Sequence, residues 1–253
     1  MKLFALSDLH LAHVVDKPMT VFGDKWKNHT LLIEEFWHEL VSDDDVVILG
    51  VDISWAKNLD EALPDLQFID RLPGQKILLR GNHDYWWTSL KKMYELCEQE
   101  DMNTIHFLRN NALRFGSFLI GGSRGWLLPS DDEFTGQDQK IFDRELIRMQ
   151  LSLDEMKAQI KRGNGGLTPV FVMHYPPISP NGEGSAMSEL LSQAELPLCV
   201  FGHIHHKLPY YLTSPLLDQV RYVLTSADQV NFKPVLLGED GIISDFDNTI
   251  STD

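Results

Sequence analysis

Cysteine is nearly missing from these 253 residues, with Cys97 and Cys199 the only two. That excludes a disulfide framework and a cysteine-rich zinc pattern. Cys199, inside the apolar run PLCVFG, reads as a small buried hydrophobe. Basic charge is also scarce: 22 lysines and arginines face 37 acidic residues, for a formal charge of −15. A general binder of nucleic acid or of an anionic membrane needs a basic face that displaces counterions, and no run of lysine and arginine supplies one. Long hydrophobic runs are missing too. Nothing approaches a membrane span, and Asp8 interrupts the amino-terminal MKLFALSDLHL too early for a signal peptide, so a cytoplasmic protein is expected. Without repeats, low-complexity tracts or linkers, the expectation is a single domain over residues 1–253.

What is present is an alternation of short apolar runs and longer helical patterns. KLFAL, DVVILG, QKILLR, FLIGG, PVFVM and LCVFG read as strands, and their near-continuous apolar character suggests burial on both faces. HTLLIEEFWHELV, NLDEALPDLQFIDRL (with a proline interruption) and SLKKMYELCEQE read as helices. The longest helical pattern runs from Asp138 to Arg162, with Ile141, Phe142, Ile147, Met149, Leu151, Leu153, Met156 and Ile160 as its apolar members, and stops at GNGG. After Glu195 the chain turns strand-rich, with RYVLTS, PVLLG and GIISDF.

Strand after strand ends in a residue able to bind a metal. Asp8 follows the first with His10 two residues on, Asp52 follows the second and Asn82 the third; later come His174, and His203 with His205 two on. In an α/β sheet the carboxyl ends of neighbouring strands converge on one edge, so these seven side chains can meet there. Residues i and i+2 leaving an extended strand point to the same side, which gives Asp8/His10 and His203/His205 a paired grip. Taken singly, such a histidine is more often structural and such an aspartate a cap or turn acceptor; the ordered set carries the signal. Carboxylates and imidazoles suit zinc, iron or manganese, and the lack of thiolates disfavours a structural zinc site. His29, His38 and His106 sit in helical or loop contexts without such partners, and His13 and His206 adjoin the motifs without a defined role.

In order along the chain stand DLH at 8–10, VD at 51–52, GNHD at 81–84, MHYPP at 173–177 and GHIH at 202–205. This ensemble resembles the calcineurin-like metallophosphoesterases, and GNHDYWW further resembles an uncharacterised bacterial branch of predicted phosphohydrolases. The resemblance implies an α/β fold, a four-layer α/β/β/α sandwich of two mixed sheets flanked by helices, with two metal ions at one edge. One metal would take Asp8, His10, Asp52 and His205; the other would take Asp52, Asn82, His174 and His203. The family has glycine immediately before the shared aspartate, where this chain has Val51. Because an apolar strand runs straight into it, Val51 is expected to be extended, where a β-branched residue costs little, and Val51→Gly is expected to change metal affinity and turnover only modestly.

The chemistry implied is phosphoester hydrolysis by a metal-activated hydroxide, with Asp52 bridging two manganese, iron or zinc ions. His83 would assist the leaving group and Asp84 would orient its ring, or alternatively cap a helix beginning near Trp87. Arg124 in GGSRGW suits a phosphate oxygen, and Tyr85, Trp86, Trp126 and Tyr175 suit a base or a pocket wall, with YPPISPNGEG forming part of the rim. The expected partner is a small phosphomonoester or phosphodiester. A nuclease on the same metal core, lacking the expected basic groove, and a non-catalytic metal-binding scaffold or regulatory protein stand as alternatives.

Overall fold

A computed structural model describes residues 1–163, 165–206 and 213–246. The strands are β1 Lys2–Ala5, β2 Val46–Gly50, β3 Gln75–Leu79, β4 Ile105–Leu108, β5 Ala112–Phe115, β6 Phe118–Ser123, β7 Thr168–Met173, β8 Leu198–Phe201, β9 Leu216–Leu217, β10 Val220–Leu224, β11 Val235–Glu239 and β12 Ile242–Ile243. The α-helices are α1 His29–Leu40, α2 Leu59–Arg71, α3 Leu90–Gln99, α4 Asp138–Arg162 and α5 Ala186–Gln193. Among the described residues the strands form two six-stranded sheets, ordered β12-β11-β1-β2-β3-β4 and β5-β6-β7-β8-β10-β9. β1 to β4 are mutually parallel, as are β6, β7, β8 and β10, while β5, β9, β11 and β12 pair antiparallel. Both sheets are therefore mixed.

Strand alternation builds the layers. Val46 and Ile48 of β2, and Ile77 and Leu79 of β3, face Val170 and Val172 of β7 and Leu198 and Val200 of β8 in the space between the sheets. The intervening residues point outward: Val47, Leu49 and Leu78 join Ile33, Trp37, Leu66 and Ile69 of α1 and α2. Phe171, Met173, Cys199 and Phe201 join Phe142, Met149, Leu153 and Met156 of α4 and Met187 and Leu191 of α5. Three apolar interfaces thus hold four layers, helix on sheet on sheet on helix, with period 2 in the strands deciding which interface each residue enters. No described helix is long and apolar enough to cross a membrane.

The helices start and stop for local reasons. Asn58 caps α2 by accepting from Glu61 N at 3.0 Å, and Ser185 and Ser188 form a reciprocal capping box at α5. α2 runs unbroken through Pro64, where an interruption was expected, because Ala62, Leu66 and Ile69 on both sides are buried against the sheet. His106 lies in β4, not in a helix or loop, and its Nε2 meets Gln75 Oε1 at 2.7 Å. Ile147 and Leu151 of α4 belong to its solvent face, since the buried stripe is Phe142, Glu145, Met149, Ser152, Leu153 and Met156.

Candidate metal centre

The carboxyl ends of the parallel strands in both sheets meet at one edge. Past the end of β1 and β2 the two chains stay paired: Asp8 N donates to Val51 O at 2.9 Å, His10 N to Asp52 O at 3.0 Å and Leu11 N to Ile53 O at 2.9 Å. Asp8, His10, Asp52 and His203 have φ of 58°, 49°, 43° and 72°, so the chain turns sharply here and does not run on extended as the i, i+2 pairing assumed. Val51 overturns its expectation most plainly. Its φ is 103°, outside the range a β-branched residue adopts without strain. The strand ends at Gly50, and Val51 N folds back onto Leu49 O at 3.0 Å.

Two glycines make room for the carboxylates. A Cβ at Gly81 would overlap the Asp52 carboxylate and backbone, and one at Gly202 would overlap Asp8 Oδ2. With that clearance, Asp52 Oδ1 accepts from His83 N at 2.8 Å, and Asp8 Oδ2 accepts from His203 N at 2.9 Å and from Ser226 Oγ at 2.7 Å.

Two overlapping donor groups result, Asp8 with His10 and His205, and Asp8 with Asp52 and His174, the ligand atoms of each lying within 4.8 Å of one another. His10 Nε2 and His205 Nε2 are 3.4 Å apart. His174 Nε2 contacts Asn82 Oδ1, lies 3.1 Å from His203 Nδ1 and 3.7 Å from Asp52 Oδ2. All seven expected ligands are therefore brought together. A ring nitrogen has one proton or one lone pair, so His174 Nε2 cannot answer Asn82 Oδ1 and His203 Nδ1 fully at once, and buried Asp8 Oδ1 has no hydrogen-bond partner among the described residues. A cation among these lone pairs would satisfy both, and the residues fit a metal centre.

Electrostatics agrees with that fit. Burial pushes Asp8 up to about 6 and holds Asp52 well above the usual carboxylate range, with Asp84 and Asp8 adding to the shift of Asp52. Burial drives His10 and His174 well below the usual imidazole value, and burial with His205 and His83 nearby brings His203 down to about 4. His205 differs: burial opposes its charge, but the hydrogen bond to Asp228 and the Asp8 and Asp228 carboxylates outweigh it and raise its pKa. Desolvated, crowded carboxylates beside neutral imidazoles gain from a nearby dication.

Residues beyond the expected set complete the site. Asp228 Oδ1 meets His205 Nδ1 at 2.9 Å while its Oδ2 takes Lys25, and Ser226 fixes Asp8. Both follow β10, in LTSAD, so the rule that strand ends carry polar groups would have found them had it been extended to RYVLTS. The His10 ring stacks on Trp55 at 5.0 Å and meets Trp26 edge-on at 5.7 Å. These rings, with His83, His205 and Lys25, line a cavity of about 200 Å³.

Two expected roles are corrected. Asp84 makes no hydrogen bond to the His83 ring; it accepts from Gly81 N at 2.8 Å, Ile53 N at 2.9 Å, Ser54 N at 3.1 Å and Trp86 Nε1 at 2.9 Å, and so ties the GNHD turn to the segment after Asp52. Nor does it cap a helix, because α3 starts at Leu90 under a Ser89 cap. His83 stands beside the donor groups, its ring 4.5 Å from Trp55 and 5.9 Å from His10, with buried Nδ1 unpartnered among the described residues. Burial, then His205 and Lys17, lower its pKa.

The aromatic expectations divide. Trp86 is core and Tyr85 is exposed. Trp126 and Tyr175 pack on each other at 5.1 Å, Tyr175 lies 4.4 Å from the His203 ring, and both wall a cleft of about 620 Å³ whose rim includes Pro176, Ile178, Ser179 and Pro180. Arg124 is absent from that cleft: it stacks on Trp126 at 4.5 Å and pairs with Glu145 at 3.7 Å.

The sequence matches the family model described as calcineurin-like phosphoesterase over residues 1–207. Among solved structures, TT1561 of Thermus thermophilus superposes with a TM-score of 0.55 at 11% identity, covering 94% of this chain and 98% of that one, which shows likeness of fold alone. The protein of unknown function AQ665 from Aquifex aeolicus gives a TM-score of 0.49 at 16% identity, with 93% and 95% covered. No curated protein matches the sequence.

Proposed function

Since this chain belongs to the calcineurin-like phosphoesterase family, a family of metal-dependent hydrolases, we propose that it hydrolyses a small phosphomonoester or phosphodiester at a two-metal centre on the shared sheet edge. Asp8, His10, Asp52 and His205 would hold one ion, and Asp52, Asn82, His174 and His203 the other, with manganese, iron or zinc suited to such ligands. When bound, the ions would supply an acidified water for attack and neutralise phosphoryl charge.

The chain's own residues do the rest. Asp228 holds the His205 ring through Nδ1, leaving Nε2 toward the centre, and Asp84 holds the turn that presents Asn82 and His83. His83, next to Asn82 and outside the ligand set, donates a proton or hydrogen bond to the leaving oxygen, and Trp26 and Trp55 keep water from one flank.

The observation that carries this reading is the pair of donor groups meeting at Asp8, whose buried Oδ1 has no hydrogen-bond partner among the described residues. Purified protein reconstituted separately with manganese, iron and zinc should carry about two ions per chain and hydrolyse p-nitrophenyl phosphate or bis-p-nitrophenyl phosphate. Asp52→Asn should lose both metal and turnover. His83→Asn should keep the metal and lose about 10²–10⁴-fold in kcat. No metal and no hydrolysis in any reconstitution would reject the proposal.

A further inference from the structure

More than half of the chain's arginines line one cavity. Arg80, Arg109, Arg124, Arg144 and Arg148 surround about 410 Å³, with Glu145 the only carboxylate in the wall among the described residues. In a molecule of net charge −15, such a gathering runs against the overall balance and raises its own repulsion. The cavity lies at the edge that carries the metal-ligand candidates. Leu79 and Leu108 in its wall end β3 and β4, Arg124 follows β6, and Arg80 directly precedes Gly81 and Asn82. Arg124 O also accepts from His174 N at 3.0 Å, so the cavity and the proposed centre share backbone.

Structural duty accounts for only part of the cluster. Buried Glu145 takes Arg148 at 2.5 Å and Arg124 at 3.7 Å, with Ser123 Oγ at 3.0 Å, and this anchors α4 on β6. Arg80, Arg109 and Arg144 have no carboxylate within salt-bridge distance among the described residues. The Nε atoms of Arg80 and Arg124 are buried without a hydrogen-bond partner among the described residues. Burial, with Arg80 and Arg148 nearby, lowers the pKa of Arg124 against the pull of Glu145. Ser89, the cap of α3, stands in the same wall, so the positive end of that helix adds to the field.

Guanidinium groups present paired N–H donors that match phosphate oxygens, and several converging on one concavity of this size fit a compact polyanion. We propose that this cavity is a subsite for a second phosphate group of the substrate, so that the substrate is a small bisphosphorylated molecule with one phosphate at the proposed metal centre and the other among the arginines. The assignment to the substrate rests on the phosphoesterase reading; the anion site itself does not.

Calorimetry of the full chain stripped of metal with EDTA, titrated with inorganic pyrophosphate, tests the cavity without turnover. Arg109 and Arg144 are exposed, so R109Q/R144Q leaves the core intact. Wild type should bind, the double variant should bind at least tenfold more weakly, and Arg162→Gln, at the far end of α4, should match wild type. No binding at millimolar pyrophosphate, or equal binding by the double variant, would overturn the proposal. So would a single-stranded oligonucleotide that binds more tightly than pyrophosphate at equal phosphate concentration, since that marks a polymer groove. In metal-loaded protein the double variant should lose at least tenfold in its kcat/KM preference for an alkyl bisphosphate over the matching monophosphate. An unchanged preference in a double variant whose pyrophosphate binding is weakened would mark a free-anion site and overturn the substrate assignment. If no ester is turned over at all, the phosphoesterase reading fails while the calorimetry still decides the cavity.

Discussion

Val51 sits at φ 103° directly before Asp52, with its side chain fully buried between the sheets. Two effects oppose each other there. Burial of a valine contributes about 1.5–3 kcal/mol, whereas a glycine-type backbone conformation costs about 1–3 kcal/mol for a residue with a Cβ. Alanine loses the methyl groups and keeps the strain, while glycine loses the methyl groups and relieves it. The usual order is therefore expected to invert: Val51→Gly should be more stable than Val51→Ala by about 1 kcal/mol, where glycine in a strand is ordinarily the worse by about that much. Urea denaturation of the two variants checks this, and the ordinary order would show that the turn relaxes around any side chain. Gly202 gives the complementary case, since a methyl there overlaps Asp8 Oδ2. Gly202→Ala should keep the fold and lose at least tenfold in metal affinity, read by titration of the apoprotein. The ligand types at this edge were legible in the sequence because each is a polar residue closing an apolar run. The pose of Val51 was not, because its causes lie on other strands: Asp8 N claims Val51 O, and Gly81 claims the space beside Asp52.

Among the elements, α2 depends on a residue outside itself. Lys76 on β3 is fully buried, and its Nζ donates to Asp70 O at 3.1 Å, Gly74 O at 2.8 Å and Leu72 O, so one ammonium group closes the carboxyl end of α2 and the turn after it. Lys76→Met leaves those carbonyls without their donor and should cost about 2–4 kcal/mol at neutral pH. Burial brings the lysine down to about 8, against the pull of Asp70 and Asp43. Between that value and the unfolded value near 10.5, the folded chain has released a proton that the unfolded chain keeps. This group therefore makes stability rise with pH across the window, by up to about 3 kcal/mol. Methionine has no such proton to release, so the stability gap between wild type and Lys76→Met should widen by about that amount from pH 7 to pH 10 in denaturation curves. A constant gap would show that Lys76 holds its proton throughout. The elements the sequence announced were those with strong periodicity, α4 above all. β4, β5 and β9 were missed because they are two to four residues long and β5 is half exposed at a sheet edge. α5 escaped because eight residues hold too few turns to display a stripe, although its capping box is written in Ser185 and Ser188.

At the scale of the molecule, the seven candidate ligands are split between the sheets. Asp8, His10, Asp52 and Asn82 follow β1, β2 and β3 of one, while His174, His203 and His205 follow β7 and β8 of the other. Each proposed ion draws on both, so binding would join the two sheets at the edge where their apolar interface ends and where two desolvated carboxylates otherwise face one another. Ions that bind the folded chain and not the unfolded one stabilise it by mass action, about 2.7 kcal/mol at a free concentration of 100 times Kd. At roughly 2–4 °C per kcal/mol for a chain of this size, removing metal with EDTA should lower Tm by about 5–10 °C, and restoring it should reverse the loss. Asp52→Asn should show little of this shift, because the shared ligand has lost its charge. Hydrogen exchange localises the effect: chelation should speed exchange at the backbone N–H groups of Asp8, His83 and His203, which the carboxylates and loop pairings of the centre hold, while those of Ile48 and Val200, deep in their strands, change little. Equal exchange at both sets of sites, with Tm indifferent to chelator, would mean that the edge is closed by its hydrogen bonds alone and that no ion spans the sheets.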